Sequence, residues 1–261
     1  MPKIKVYTPK SKSIKEVADL SQLYDAGYYH GEAYEDYTFQ KLRSHFIHKI
    51  NSVKKFCYSG RLLDVGCALG YFVKLALNEG FDAYGVDFSE YAIKQARKLV
   101  GQRVKRADVE KEIPFQENSF DIITAWDLLE HLRDPYAFLR RIAKFLKKDG
   151  FLFVSTLNYG SLMSKIMKDR WSFITPGYHQ THTITVSDIA DWAYESRLTI
   201  VKIDTFGITL NSFSDKIHLP ILKQIAQILE IALRFEIDGI LKLLKPLHLG
   251  DTIYCVLKRA W

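Results

Sequence analysis

Hydrophobic residues in this chain follow two rhythms. A short apolar run at Arg61–Val65, the mark of a strand buried on both faces, is followed by further short runs that read as strands at 83–86, 103–107, 120–125, 150–156, Leu198–Phe206 and 251–258. Between them, apolar residues recur every three or four positions. Phe39, Leu42, Phe46, Ile50, Val53 and Phe56 predict a helix over about 34–57. Phe72, Val73, Leu75, Ala76 and Leu77 predict another, stopped by Gly80, and Ala92, Ile93, Ala96 and Leu99 a third behind the N-cap Ser89. Asp134-Pro135 opens a helix over roughly 136–147, a further one is expected near 159–169, and Ser187 is expected to cap one ending at Glu195. Strands alternating with helices predict an α/β fold around a mainly parallel sheet.

The stretch from Leu62 to Asp87 carries the chemistry. Strand, turn, helix and strand make a βαβ unit whose turn falls at the carboxyl edge of the sheet, where ligands bind. Gly66, Ala68 and Gly70 lack bulky side chains, so a ligand can lie against the backbone. Asp87, closing the second strand, can accept both hydroxyls of a ribose. The run G-C-A-L-G-Y lacks the third glycine of the dinucleotide fingerprint, and Asp64 just ahead of it would repel a pyrophosphate. No phosphate-cradling P-loop is present. Asp64 suits a ligand with a positive end.

D-x-G-x-A-x-G followed by an acid ending the next strand resembles the class I S-adenosylmethionine-dependent methyltransferases, in particular the ubiquinone-type and other small-molecule enzymes. The resemblance implies S-adenosyl-L-methionine as cofactor and S-adenosyl-L-homocysteine as product. It places Asp64 on the methionyl ammonium and Asp87 on the ribose. Gly66, Cys67, Ala68, Gly70, Tyr71 and Phe72 would form the loop, with Phe88 beside Asp87. It further implies Asp108 and Val109 near the adenine, and Trp126, Asp127 and Leu128 under the methionyl part. Tyr28 and Tyr29 would close over the cofactor from an N-terminal lid, where aromatic faces suit a sulfonium.

D-L-L-E-H at 127–131 is close to the family's E-x-x-E-H, whose carboxylates and histidine can gather a divalent ion. Asp127 is one methylene shorter than that glutamate. No metal is therefore expected, and were one held, Asp127, Glu130 and His131 would be its ligands. His131 is alternatively a general base, since imidazole titrates near neutrality, or a brace for the helix start. Trp171, Phe173, Pro176, Tyr178, His179 and His182 lie in the segment that belongs to the substrate in the family. His179 and His182 are further candidate bases, with surface or structural roles as the plainer reading.

The chain has 261 residues, 48% of them hydrophobic, enough for one large domain with additions. Three scattered cysteines, Cys57, Cys67 and Cys255, suggest thiols in a reducing cytoplasm rather than a disulfide framework. The N-terminus lacks an apolar signal core, and a cytoplasmic location is expected. The net charge of +7 is concentrated in the first fifteen residues, read as a loosely ordered tail, and between 40 and 61, where Lys49 belongs to a basic run that reads either as a footprint for an anionic partner or as a solvated face. Nucleic acid is disfavoured as a partner: residues 124–127 read T-A-W-D, without the D-P-P-Y type signature of adenine methylation.

Residues 211–249 carry a broad apolar stripe (Ile221, Leu222, Ile225, Leu229 and Leu233, continued from Ile237 to Leu247) where relatives usually have a short loop. Its charges nearly balance, so a pocket cover or a homodimer face ranks above peripheral contact with a membrane. The expected architecture is a Rossmann-like, seven-stranded methyltransferase sheet whose last strand is antiparallel by resemblance. Tail and lid occupy 1–58, the core 59–210 with 250–261, and a C-terminal α-helical insertion 211–249. The expected activity is O-methylation of a small-molecule, sugar or lipid-like acceptor. A non-catalytic S-adenosylmethionine- or S-adenosylhomocysteine-binding regulatory or scaffold protein, or a nucleic-acid methyltransferase, stand as alternatives.

Overall fold

A computed structural model of the chain describes residues 4–8, 13–17, 24, 28–29, 39–168, 171, 182–207, 224, 229, 236, 239 and 245–260. His179 and nearly all of the 211–249 stripe lie outside the described residues. Among those described, no helix is long and apolar enough to cross a membrane.

Seven strands form one sheet: β3 (Arg61–Val65), β4 (Asp82–Asp87), β5 (Val104–Arg106), β6 (Phe120–Trp126), β7 (Leu146–Leu157), β8 (Leu198–Phe206) and β9 (Thr252–Arg259). Their order across the sheet is β5-β4-β3-β6-β7-β9-β8. The first five in that order pair in parallel, and β9 runs antiparallel to both β7 and β8. From β3 the chain builds outward through β4 and β5, then returns to β3's other side with β6. The strand order therefore reverses between β3 and β6, and a crevice opens at their carboxyl ends.

Helices cover both faces because each apolar stripe has a sheet face to bury. Helices α1 (Phe39–Lys54), α2 (Tyr71–Asn78) and α3 (Glu90–Val100) place Phe46, Ile50, Phe72, Val73, Ile93 and Ala96 on one face, against Leu62, Ile122 and Phe153. Helices α4 (Pro135–Ile142) and α6 (Val186–Glu195) place Phe138, Leu139, Ile142, Ile189 and Ala193 on the other. A short α5 (Leu162–Met167) follows β7.

Two local expectations are corrected. Thr185, not Ser187, caps α6, and its hydroxyl and the Asp188 carboxylate satisfy each other's backbone N–H groups as a capping box. The first residues are not a loose tail: β1 (Ile4–Thr8) and β2 (Ser13–Val17) pair antiparallel, consistent with apolar Ile4 and Val6 alternating with Lys5 and Tyr7. Gly70 has a packing role that the sequence did not suggest. It sits at φ +78°, and a Cβ added there would lie 2.9 Å from Ala96 Cβ, so its missing side chain lets α2 approach α3. Gly70→Ala is expected to lower stability by about 2 kcal/mol through left-handed strain and overpacking. A urea unfolding midpoint equal to wild type would refute this.

Candidate active site

The crevice opens into one cavity of about 1030 Å³. Sixteen of the sequence-predicted residues border it: Tyr28, Tyr29, Asp64, Gly66, Cys67, Ala68, Phe72, Asp87, Phe88, Asp108, Val109, Trp126, Asp127, Leu128, Glu130 and His131. Gly70 and Tyr71 do not. Tyr71 packs instead beside Tyr29, Leu69 and Ala92. His182 is also outside, its Nε2 2.8 Å from the Arg133 carbonyl oxygen.

Asp64 is at the tip region of β3, only 3% exposed, and its Oδ1 accepts the Thr124 hydroxyl of β6 at 2.7 Å. Burial lifts its pKa to about 7, against the opposing effects of the Thr124 hydrogen bond and the Lys49 charge. An acid held in that state is receptive to an incoming cation. Asp87 is tied to the turn: Oδ2 accepts the Ala68 N–H and Oδ1 the Ser89 N–H, each at 2.9 Å. Burial raises its pKa too, while the N–H donors pull it back. A carboxylate has about four acceptor positions, so two remain for hydroxyls of a ligand. At Gly66 (φ +75°) an added Cβ would lie 3.0 Å from Leu128 Cδ1, which keeps the turn flat at the cavity floor. Cys67 stays a thiol, since burial and then the two nearby carboxylates push its pKa well up.

Tyr24 and Tyr28 pack at 4.6 Å between ring centroids, and Tyr24 meets Phe88 edge-on at 5.1 Å. The Tyr24 hydroxyl is 3.2 Å from His131 Nδ1, and the Ser89 hydroxyl donates to the Tyr24 carbonyl at 2.6 Å. The lid contact is thus joined to the helix start it covers. Asp108 lines the cavity while bonding its own turn through the Glu110 N–H at 3.1 Å and pairing with Lys111 at 3.0 Å.

His131 and Glu130 share one 3-10 turn, Leu129–His131. Glu130 is buried and accepts the Thr156 hydroxyl at 2.6 Å, and burial raises its pKa despite the adjacent His131. Asp127 takes a left-handed φ of +52°, and its Oδ2 accepts Lys49 Nζ at 2.8 Å while Oδ1 accepts the Ser155 hydroxyl at 2.6 Å. Burial would raise this carboxyl, but the Lys49 ammonium and the two hydrogen bonds outweigh it and hold the pKa at about 2. The carboxylate that a divalent ion would need is therefore already engaged by an ammonium. Among the described residues no cluster of three or more metal-type ligands forms.

Composition leaves Lys49 either in a footprint for an anionic partner or on a solvated face. The structure turns it inward, 12% exposed, with Nζ 5.2 Å from the Trp126 ring centroid. His45, His48 and Ser52 of α1 line the cavity with it, as do Ser155, Lys202, Asp204 and Tyr254 from β7, β8 and β9. None of these was singled out from sequence. Spacing along α1 does place 45, 48, 49 and 52 on one side of a helix, the one signal that could have found them.

A family model described as a methyltransferase domain matches residues 34–203. The ubiquinone biosynthesis O-methyltransferase of Idiomarina loihiensis is 34% identical over 125 residues, covering 43% of this chain and 51% of that one. The corresponding enzyme of Neisseria meningitidis is 30% identical over 167 residues, covering 59% and 69%. The first of these matches thus spans about half of the relative's length. Among solved structures, a methyltransferase of Thermotoga maritima described as a possible histamine N-methyltransferase has a TM-score of 0.63 at 16% identity, covering 93% of this chain and 100% of that one. Phosphoethanolamine N-methyltransferase 2 of Haemonchus contortus, in complex with S-adenosyl-L-methionine, has a TM-score of 0.57 at 17% identity, covering 95% and 62%. At such identities the structural likeness speaks for the fold.

Proposed function

The chain belongs to the methyltransferase domain family of class I S-adenosylmethionine-dependent enzymes, and from that premise we propose that it methylates an oxygen of a small-molecule acceptor. One observation carries the reading: the cavity holding Asp64 and Asp87 does not end there but continues past Trp126 across β7, β9 and β8. Its volume of about 1030 Å³ is at the top of the usual range for one small ligand, which leaves room for an acceptor beside a nucleoside. A protein that only sensed the cofactor would have no use for that second space. The ubiquinone-type relatives support transfer to oxygen.

S-adenosylmethionine, when bound, supplies an activated sulfonium methyl. The residues need only hold the partners in line and keep water out. Asp64 would receive the methionyl ammonium, Asp87 the ribose hydroxyls, and Asp108 with Val109 the adenine edge. Tyr24, Tyr28 and Tyr29 would shield this half from solvent. His131 is the candidate base for the acceptor's proton, its ring oriented by the Tyr24 hydroxyl 3.2 Å from Nδ1. Residues 1–58 act in this reading as tail and lid, and 59–210 with 250–261 as the core. Phe206 and Thr252, the strand ends that flank the 211–249 segment in the chain, both border the cavity, which supports reading that segment as a cover for the acceptor.

Incubation with S-adenosylmethionine labelled in the methyl group tests the reading. Label should pass from the cofactor to an extractable low-mass fraction of a metabolite pool. His131→Ala should slow that transfer about 10²-fold, the lower end of the range for a lost general base, with cofactor affinity within threefold of wild type. Label confined to RNA or protein would overturn the proposal, and an unimpaired His131→Ala would remove the base assignment.

A further inference from the structure

We infer that the half of the cavity beyond Trp126 takes an acceptor bearing an anionic group, a carboxylate or phosphate, and that Lys202 receives that group. This rests on the methyl-transfer reading above and names the acceptor class for the same site.

Register across the sheet sets the arrangement. Trp126 of β6 pairs with Ser155 of β7, Ser155 with Tyr254 of β9, and Tyr254 with Asp204 of β8. Residues opposite one another in a ladder share a face, so these four make one row. Lys202, two residues before Asp204 and opposite Val256, is on the same face. Over this row stands α1, with His45, His48 and Lys49 directed to the cavity.

Two ammonium groups lie on two rings of the row, Lys49 Nζ 5.2 Å from the Trp126 centroid and Lys202 Nζ 5.6 Å from the Tyr254 centroid. They differ in how fully they are engaged. Lys49 is locked to Asp127 at 2.8 Å. Lys202 stands 3.8 Å from Asp204 Oδ2, beyond hydrogen-bond length, while Asp204 Oδ1 accepts the Thr205 N–H at 3.0 Å. The Lys202 ammonium is thus held in place by its ring and a loose ion pair, with donors left for a ligand.

Charge is divided unevenly along the cavity. The cofactor half presents Asp64, Asp87, Asp108, Glu110 and Glu130 against Arg133. The far half presents Lys49 and Lys202 against Asp127 and Asp204, with two imidazoles in addition. A sulfonium seated in the first half adds positive charge facing the second. Phe46, Phe72, Leu157 and Phe206 supply apolar wall there, and the Lys202 side chain is 44% exposed, so solvent screens part of its attraction for an anion. An anionic acceptor is the partner that this distribution attracts, whereas a cationic one would face the sulfonium and Lys202 together.

Isothermal titration of the protein loaded with S-adenosylhomocysteine tests this, using naphthalene-2-carboxylate and its neutral twin naphthalene-2-carboxamide. The acid should bind about tenfold more tightly than the amide. Lys202→Met should erase the difference and Lys202→Arg keep it, with S-adenosylhomocysteine affinity within twofold in both variants. Equal binding of acid and amide, binding of neither, or a preference surviving in Lys202→Met would overturn the inference while leaving methyl transfer itself standing. Failure of S-adenosylhomocysteine to bind the wild-type protein would instead bring down both readings.

Discussion

Affinity for S-adenosylmethionine will rise by about 50-fold between pH 5 and pH 7 and level off above that. The cause is Asp64, whose carboxyl is lifted by burial to about 7 in the protein alone. At pH 5 nearly all of it is protonated and offers a neutral group to the methionyl ammonium. Binding then has to expel a proton, and the work of doing so falls as pH approaches 7. An ammonium partner would return the pKa to the ordinary carboxylate range, roughly 4, and linkage over that interval gives the stated factor. The same shift has a consequence for stability of opposite sign. Because the folded protein holds this proton more tightly than the unfolded chain, the contribution of Asp64 to stability without cofactor is greatest below pH 4. It declines as pH rises to 7, by up to about 4 kcal/mol if Asp64 acted alone. The cofactor's stabilising effect on unfolding temperature should consequently be larger at pH 7.5 than at pH 5. Asp64→Asn should bind weakly with no pH dependence in this interval, which isolates the effect from His131. A wild-type affinity that is flat from pH 5 to pH 7 would show that Asp64 is not the ammonium's partner.

The acids at 64 and 87 could be read from the chain because their position follows from local rules. Each closes a short apolar run, and a parallel strand delivers its last residues to the ligand edge. Thr185 with Asp188 was equally local, a capping box four residues long that encloses Ser187, a cap former in its own right. The β1–β2 pair was hidden by composition, since lysines dominate a stretch whose alternation is only five residues per strand. The far half of the cavity was not legible at all. Lys49 meets Asp127 across 78 positions, and Trp126 stacks parallel to Tyr254 only because β7 and β9 bring them to one row. Periodicity says that a residue such as Lys49 lies on the polar side of a helix. It does not say that this side faces a cavity rather than solvent, because that depends on where the sheet edge and the other helices stop. Gly70 shows the converse: the chain marks a glycine at the turn but not that α3 packs where its side chain would be, since a glycine can make room for a helix as readily as for a ligand.

Replacing Asp87 with alanine should weaken S-adenosylmethionine binding about 10³-fold. Two hydrogen bonds from ribose hydroxyls to a charged acceptor are each worth about 1.5–3 kcal/mol, and both vanish. The loss also reaches the turn, because the Ala68 and Ser89 N–H groups that now meet Asp87 at 2.9 Å would be left without their acceptor. That second effect lowers stability by about 1–3 kcal/mol and makes the glycine turn less well held. Asp87→Asn separates the two. Its single amide oxygen can keep one of the N–H groups, but its NH₂ must then face the other, so the turn is partly restored while the charge is gone. Its affinity should fall between alanine and wild type, with most of the stability recovered. Calorimetric titration beside urea unfolding distinguishes the contributions. If Asp87→Ala remains folded and binds the cofactor within threefold of wild type, the carboxylate serves only to stitch Ala68 to Ser89, and the ribose must be held by some other group. The size of the expected effect comes from burial: Asp87 is 7% exposed, so water cannot take the place of the missing carboxylate at little cost.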